Sequence, residues 1–421
     1  MKNFCKITQL LLTIAALVLT VTMVTDYSRY QQWALCATGG LYVIDYLLNR
    51  RWRSFQWKRT SWVMVAMAGF FLLMMMRNGL DGFPMTHIFS HQIELLAPFF
   101  VLALIGILGV DHALTKRQIA YTTILTSLAV IIATLVLFAV KAPIPEYIWI
   151  DSPLTLYHVQ MHQYIGTHMS LDLYMNIALI FGLMMATQSG NKKEKVFFGI
   201  SSGLIAVNTC LSDGRSGMLA TLLIIGMVAI CEGWKRWGYK ALVGLVLCLG
   251  LAGGFIALNG RFHLPSQLTD ESSAQADPRL SLWGYTYEWI QERPILGHGY
   301  GIEDAYIAGA FANEDVKTHY IDMMATTGLL SFDTIAEVHP HNTFLLLWLE
   351  AGILAPLALI LIFVLACLLT KKEDRLYVIL FSLVILWQAM FDSFCSVFQP
   401  TVVCWFLLLW LCTNRERTHT V

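Results

Sequence analysis

Three features of this 421-residue chain combine residue types suited to handling a phosphorylated group. Arg215 sits in Ser212-Asp213-Gly214-Arg215-Ser216-Gly217, Arg279 follows Asp277-Pro278, and His339 and His341 flank Pro340 just before Asn342. A guanidinium is planar and permanently charged, and its forked donors match two phosphate oxygens at once. Asp277-Pro278 reads as an N-cap and first helical residue, so the positive end of a helix adds to the charge of Arg279. A neutral histidine, with an unperturbed pKa near 6.5, takes a proton from an attacking hydroxyl at neutral pH and contributes roughly 10²- to 10⁴-fold in rate. Two arginines and a histidine base would together suit transfer from a lipid-borne pyrophosphate. Each also has a plainer use. Arg215 can snorkel to headgroups or pair with Asp213, Arg279 can cap its helix or pair with Glu288, and His-Pro-His-Asn can be a simple helix start with Asn342 as its cap.

The elements that must position these residues are membrane helices. Hydrophobic residues make up 57% of the chain and charged residues 13%, more apolar surface than one soluble core can hide. A span needs about 20 apolar residues. Runs of that kind fall near 7–24, 31–48, 61–76, 92–110, 119–140, 170–187, 194–211, 215–231, 241–258, 344–370, 376–391 and 400–412. The expected fold is therefore an all-α integral membrane protein of about twelve transmembrane helices. The first run follows Lys2 and Lys6 but offers no small-x-small cleavage site, so it reads as a retained helix. With the amino terminus inside, 20 of 28 basic residues fall on inner segments and eight on outer ones, among them Arg77, Arg215 and Arg279. That bias places both termini in the cytoplasm. Ten of twelve histidines lie on the outer side, which suits a working face there, although histidine is also neutral enough to escape the positive-inside rule, and that plainer reading accounts for most of the ten. The nine cysteines are scattered without a CxxC pair, so neither a disulfide framework nor a zinc site is indicated.

The chain divides into helices 1–9 over 1–258, one large outer loop over 259–343, and helices 10–12 with a short tail over 344–421. Long ordered loops usually carry function. Within the large one a helix is expected over 278–292, with Arg279, Trp283, Tyr287 and Ile290 on one stripe, ended by Pro294. Gly297-His298-Gly299-Tyr300-Gly301 reads as a turn without the context of a nucleotide site, and 302–338 is irregular. Three lesser features carry less. His158, His162 and His168 lack a carboxylate in register and are weak metal candidates. Glu94, at the outer end of the fourth run, can pair with an arginine or bind an acceptor sugar. Trp283 and the other loop aromatics can stack on sugars or form an interfacial belt.

His341-Asn342, nine further residues and Gly352 resemble the H-N-x9-G-x-x signature of the O-antigen ligase family. The supporting pattern is also similar: Arg279-x-x-x-Trp283 ahead of Pro294-Ile295-Leu296-Gly297-x-Gly299-x-Gly301, Leu349-Glu350-x-Gly352, and Arg215 on a short outer turn before a span. Ala355 stands where that family usually has Gly, Thr or Val, a conservative departure. The resemblance implies a bacterial inner-membrane enzyme with its site on the periplasmic face. It would transfer O-antigen from undecaprenyl pyrophosphate to a sugar hydroxyl of the lipid A core, inverting and without metal or other cofactor. By the same resemblance the histidine matching His341 is the base, with His339 as its rival, and Arg215 and Arg279 hold the pyrophosphate. No nucleic-acid partner is expected. O-antigen polymerases and protein O-oligosaccharyltransferases share these motifs, but the 141–169 segment carries only Lys141 and no arginine, which favours the ligase. A lipid-linked glycan transporter would require ionisable residues near helix centres, and the runs are charge-poor.

Overall fold

The computed structural model describes residues 2–24, 28–54, 57, 60–80, 106, 114–144, 153–165, 168–211, 215–238, 279–299, 302–318, 340–391 and 398–413, and every regular element among them is helical. Those of nine or more residues are, in chain order, α1 (Lys2–Val21), α2 (Ser28–Leu48), α3 (Ser61–Leu80), α4 (Lys116–Ala139), α5 (Pro153–Tyr164), α6 (His168–Gln188) and α7 (Lys192–Leu211). There follow α8 (Arg215–Val228), α9 (Arg279–Glu292), α10 (Glu303–Ala312), α11 (Thr343–Ala351), α12 (Leu354–Leu369), α13 (Arg375–Phe391) and α14 (Phe398–Thr413). Most of the apolar runs coincide with these helices. The run at 241–258, and that at 92–110 apart from residue 106, lie outside the described residues. Among the described residues, three helical stretches are long and apolar enough to cross a membrane: Lys116–Ala139, Ser170–Gln188 and Ser216–Gly233.

α4 shows why such segments hold a helix in an apolar setting. Thr115 and Gln118 form a capping box, with the Thr115 hydroxyl accepting from Gln118 N at 3.2 Å and the Gln118 amide oxygen accepting from Thr115 N at 2.9 Å. Its buried stripe includes Thr123 and Thr134, whose hydroxyls donate to the carbonyls one turn back, Ile119 and Val130, each at 2.9 Å. Hydroxyls satisfied within their own helix need no water. α6 is buried on every side over most of its length and packs against α4, α7, α8 and α13, making it the central pillar of the bundle.

Polar ties gather at opposite ends of the helices. At one end Lys116 meets Asp374 at 2.7 Å, Arg51 meets Asp45 at 2.8 Å, and Arg117 meets Glu194 at 2.5 Å. At the other, Arg77 of α3 reaches the turn after α9, Trp387 of α13 reaches the start of α8, and Tyr157 of α5 reaches Asn208 of α7. Each tie joins segments that the charge bias assigns to the same side.

Three details depart from the sequence reading. The run at 344–370 is two helices, because Gly352 adopts φ 75° and ψ 178°, outside the right-handed helical region. Helix α10 occupies part of the stretch read as irregular; its Ala305, Ala308, Ala310 and Ala312 favour helix without an apolar period. The buried face of α9 is Leu282, Tyr285, Thr286 and Ile290, rotated away from Tyr287, which is exposed. That face builds a small core of its own with Tyr306, Ala310, Val316 and Leu349.

Candidate functional site

The site begins with a helix start. Asn342 caps α11, its side-chain oxygen accepting from Phe344 N at 3.0 Å and Leu345 N at 3.1 Å. Gly352 is the matching C-cap. The nine residues between Asn342 and Gly352 are therefore one short, doubly capped helix, which gives the signature spacing a physical meaning. His341, directly before the cap, has φ 47°, in the left-handed region that L side chains enter at a cost of about 1–2 kcal/mol.

The loop helix is fastened to this corner. Trp283 of α9 donates through Nε1 to the carbonyl of Pro340 at 2.6 Å. Arg279 is one turn earlier on the same side of α9 and is the first residue of that helix. The charged start of α9 and the His341 turn thus belong to one corner. Tyr287 and Trp348 make an edge contact further along the two helices, with ring centroids 6.5 Å apart.

The other end of α11 is locked to the glycine-rich turn. His298 N donates to Leu349 O at 2.7 Å, Gly299 N to Glu350 O at 2.9 Å, and Ile353 N to Pro294 O at 3.1 Å. Trp348 Nε1 adds a bond to Pro294 O at 2.8 Å. The backbones approach so closely that a Cβ on Gly352 would lie 1.8 Å from Ile295 O, and one on Gly297 would lie 2.6 Å from Glu350 O. Arg77, buried at the end of α3, closes the junction by donating to the carbonyls of Leu296 and Gly297. The turn is an interlock between loop and bundle, and His298 serves it, its Nε2 bonding the Trp289 carbonyl at 2.6 Å.

Arg215 is the first residue of α8 and stands on a second corner. Trp387 Nε1 donates to Ser216 O at 3.1 Å. Asn176 of α6 donates to Gly217 O at 3.0 Å, and the Thr221 hydroxyl donates there as well, at 3.0 Å. α13 packs on both α8 and α11, so one helix lies against the helix of each corner. His339 and Glu94 lie outside the described residues. His158 and His162 fall on α5 and His168 begins α6, and no cluster of three His, Cys, Asp or Glu side chains forms among the described residues.

Two charged residues, one at the interlock and one at the Arg215 corner, were not singled out by the sequence. Arg77 counted only as one more outer arginine, although a lone guanidinium ending an apolar run was its signal. Asp172 is a carboxylate four residues into α6, 3% exposed, and the sign of it was an acidic residue inside the limits of an apolar run. Residues 200–360 match the family model described as O-antigen ligase, an interval that contains Arg215, Arg279, Trp283, His339, His341, Asn342 and Gly352. No curated protein matches the chain.

Proposed function

We propose that this chain, as a member of the O-antigen ligase family, transfers O-antigen polysaccharide from undecaprenyl pyrophosphate to a sugar hydroxyl of the lipid A core. In this reading about twelve spans, some of them broken like the one at Gly352, cross the bacterial inner membrane with both termini cytoplasmic. The segment 259–343 is then a periplasmic lid. The acceptor hydroxyl attacks the anomeric carbon from the face opposite the leaving group, so the configuration inverts. Its proton passes to a ring nitrogen of His341, and the glycosyl–oxygen bond breaks with its electron pair on the pyrophosphate. The guanidiniums of Arg215 and Arg279 take up that negative charge, which lets the step proceed without a metal. Trp283 and Asn342 support His341 rather than react, and Glu94 is assigned to the acceptor side. His339 remains the alternative base.

The observation that supports this best is the strained His341 turn, held at φ 47° beside a carbonyl that Trp283 fixes one turn from Arg279. Strain kept at a residue able to transfer protons is characteristic of active sites. The test uses purified full-length protein, lipid-linked O-antigen and rough lipopolysaccharide, and expects polysaccharide-bearing lipopolysaccharide. Longer lipid-linked chains in its place would assign the protein as a polymerase. No product at all would reject glycosyl transfer.

A further inference from the structure

Asp172 is an acidic residue buried near the start of α6, among the apolar Leu171, Leu173 and Met175, the ring of Tyr174, and the polar Ser170 and Asn176, all buried beside it. An ionisable side chain in such a place is costly to keep and usually serves a functional neighbour. Its neighbour is the first turn of α8. A Cβ built on Gly217 would stand 2.6 Å from Asp172 Oδ2, 2.7 Å from its Cβ and 2.8 Å from its Cγ, so the carboxylate lies flat against that turn. Gly217 is two residues beyond Arg215, where the first backbone N–H groups of a helix have no intrahelical acceptor and carry the positive end of its dipole.

Asp172 is also held in place by its own helix. Asn176, one turn on, donates to the Asp172 carbonyl and to Gly217 O, both at 3.0 Å, while accepting from the Thr221 hydroxyl at 2.8 Å. One amide thus sets the separation of α6 and α8 at the level of the carboxylate. With Trp387 on Ser216 O from a third helix, the helix start that carries Arg215 is gripped on several sides.

We propose that Asp172 is a positioning residue for the transfer: its carboxylate holds the first turn of α8, and through it aims Arg215 at the donor pyrophosphate. This rests on the reading of Arg215 as a pyrophosphate ligand. Two effects of the charge oppose each other. Acting directly, a carboxylate repels an incoming pyrophosphate, so its removal would tighten donor binding. Acting through Arg215, it favours binding, so its removal weakens it. The contact with Gly217 makes the second effect the stronger.

The test measures initial rates with purified full-length protein, varying undecaprenyl-pyrophosphate-linked O-antigen at fixed rough lipopolysaccharide, and then the reverse. Asp172→Asn, which keeps the shape and removes the charge, raises the donor KM about tenfold and leaves the acceptor KM within about twofold. Gly217→Ala, whose Cβ displaces the carboxylate, shifts the same constant in the same direction and serves if the first variant folds poorly. In an Arg215→Ala background, Asp172→Asn adds less than about twofold, because the residue it acts through is gone. An unchanged or lowered donor KM for Asp172→Asn overturns the proposal, and so does a full tenfold effect in the Arg215→Ala background. If Arg215→Ala alone leaves the donor KM unchanged, the pyrophosphate role of Arg215 fails first and the positioning role falls with it.

Discussion

Trp283 and Pro340 are 57 positions apart, yet the indole of one donates to the carbonyl of the other at 2.6 Å. The bond ties the loop helix bearing Arg279 to the turn bearing His341, and it leaves His341 the next residue after a fixed peptide. Arg279-x-x-x-Trp283 is in these terms a charged helix start and its anchor, one turn apart.

Trp283→Phe tests the anchor. The ring keeps most of its packing but loses its donor, at about 1 kcal/mol for a neutral hydrogen bond and somewhat more if the Pro340 carbonyl stays dry. The expected result is a fall in kcat of about fivefold to tenfold with a small change in the unfolding midpoint. Trp283→Ala, which also removes the packing, falls further. A Phe variant with full turnover would show that the indole donor does not matter for the His341 turn.

Arg77 is held to a different measure, because it serves the interlock and not the chemistry. Arg77→Ala leaves the Leu296 and Gly297 carbonyls without their guanidinium, at about 2–3 kcal/mol. Thermal unfolding in detergent should show a midpoint several degrees lower. Arg77→Lys recovers only part of it, since an ammonium cannot reproduce the fork that spans two successive carbonyls.

Gly352→Ala probes the same junction from the other side. The new Cβ would meet Ile295 O at 1.8 Å, and φ 75° is itself unfavourable for alanine. Neither the Pro294 turn nor the α11 end can yield without breaking the Ile353–Pro294 bond, so the cost exceeds about 3 kcal/mol. The yield of monodisperse protein should drop sharply, and Gly297→Ala should behave alike.

How far these relationships could be read in the sequence depends on their range. The α9 helix and the Asn342 cap were legible, because Asp-Pro, Pro294 and His-Asn are local signals. The break at Gly352 was not, since its cause is a turn that arrives from 51 to 59 residues upstream. Gly297 reads in the sequence only as part of a turn for the same reason: what fills the space it leaves is the backbone of another helix. Asp172 stayed hidden within an apolar run because its partner, the first turn of α8, follows about 40 residues later.

Arg279→Lys separates a guanidinium that grips two oxygens from one that supplies only positive charge. If Arg279 clamps the pyrophosphate, lysine keeps the charge and loses the bidentate geometry, so kcat/KM for the donor falls nearly as far as in Arg279→Ala. Full activity of the lysine variant would reject the clamp and leave Arg279 as a helix-start charge.

His341 is where strain and chemistry can be told apart. Its left-handed backbone is a cost that glycine does not incur, while both glycine and alanine remove the imidazole and whatever the ring holds. Comparing the two variants therefore cancels the side-chain loss and isolates the backbone. Glycine gives back part of the gain, about 0.5–1 kcal/mol, through its freer unfolded chain. His341→Gly is expected to unfold at or slightly above the midpoint of His341→Ala, by up to about 1 kcal/mol, with neither forming polysaccharide-bearing lipopolysaccharide. His339→Gln, in contrast, retains activity within about tenfold if His341 is the base. Activity lost in His339→Gln and kept in His341→Gly would transfer the role of base to His339 and leave the strained turn as architecture alone.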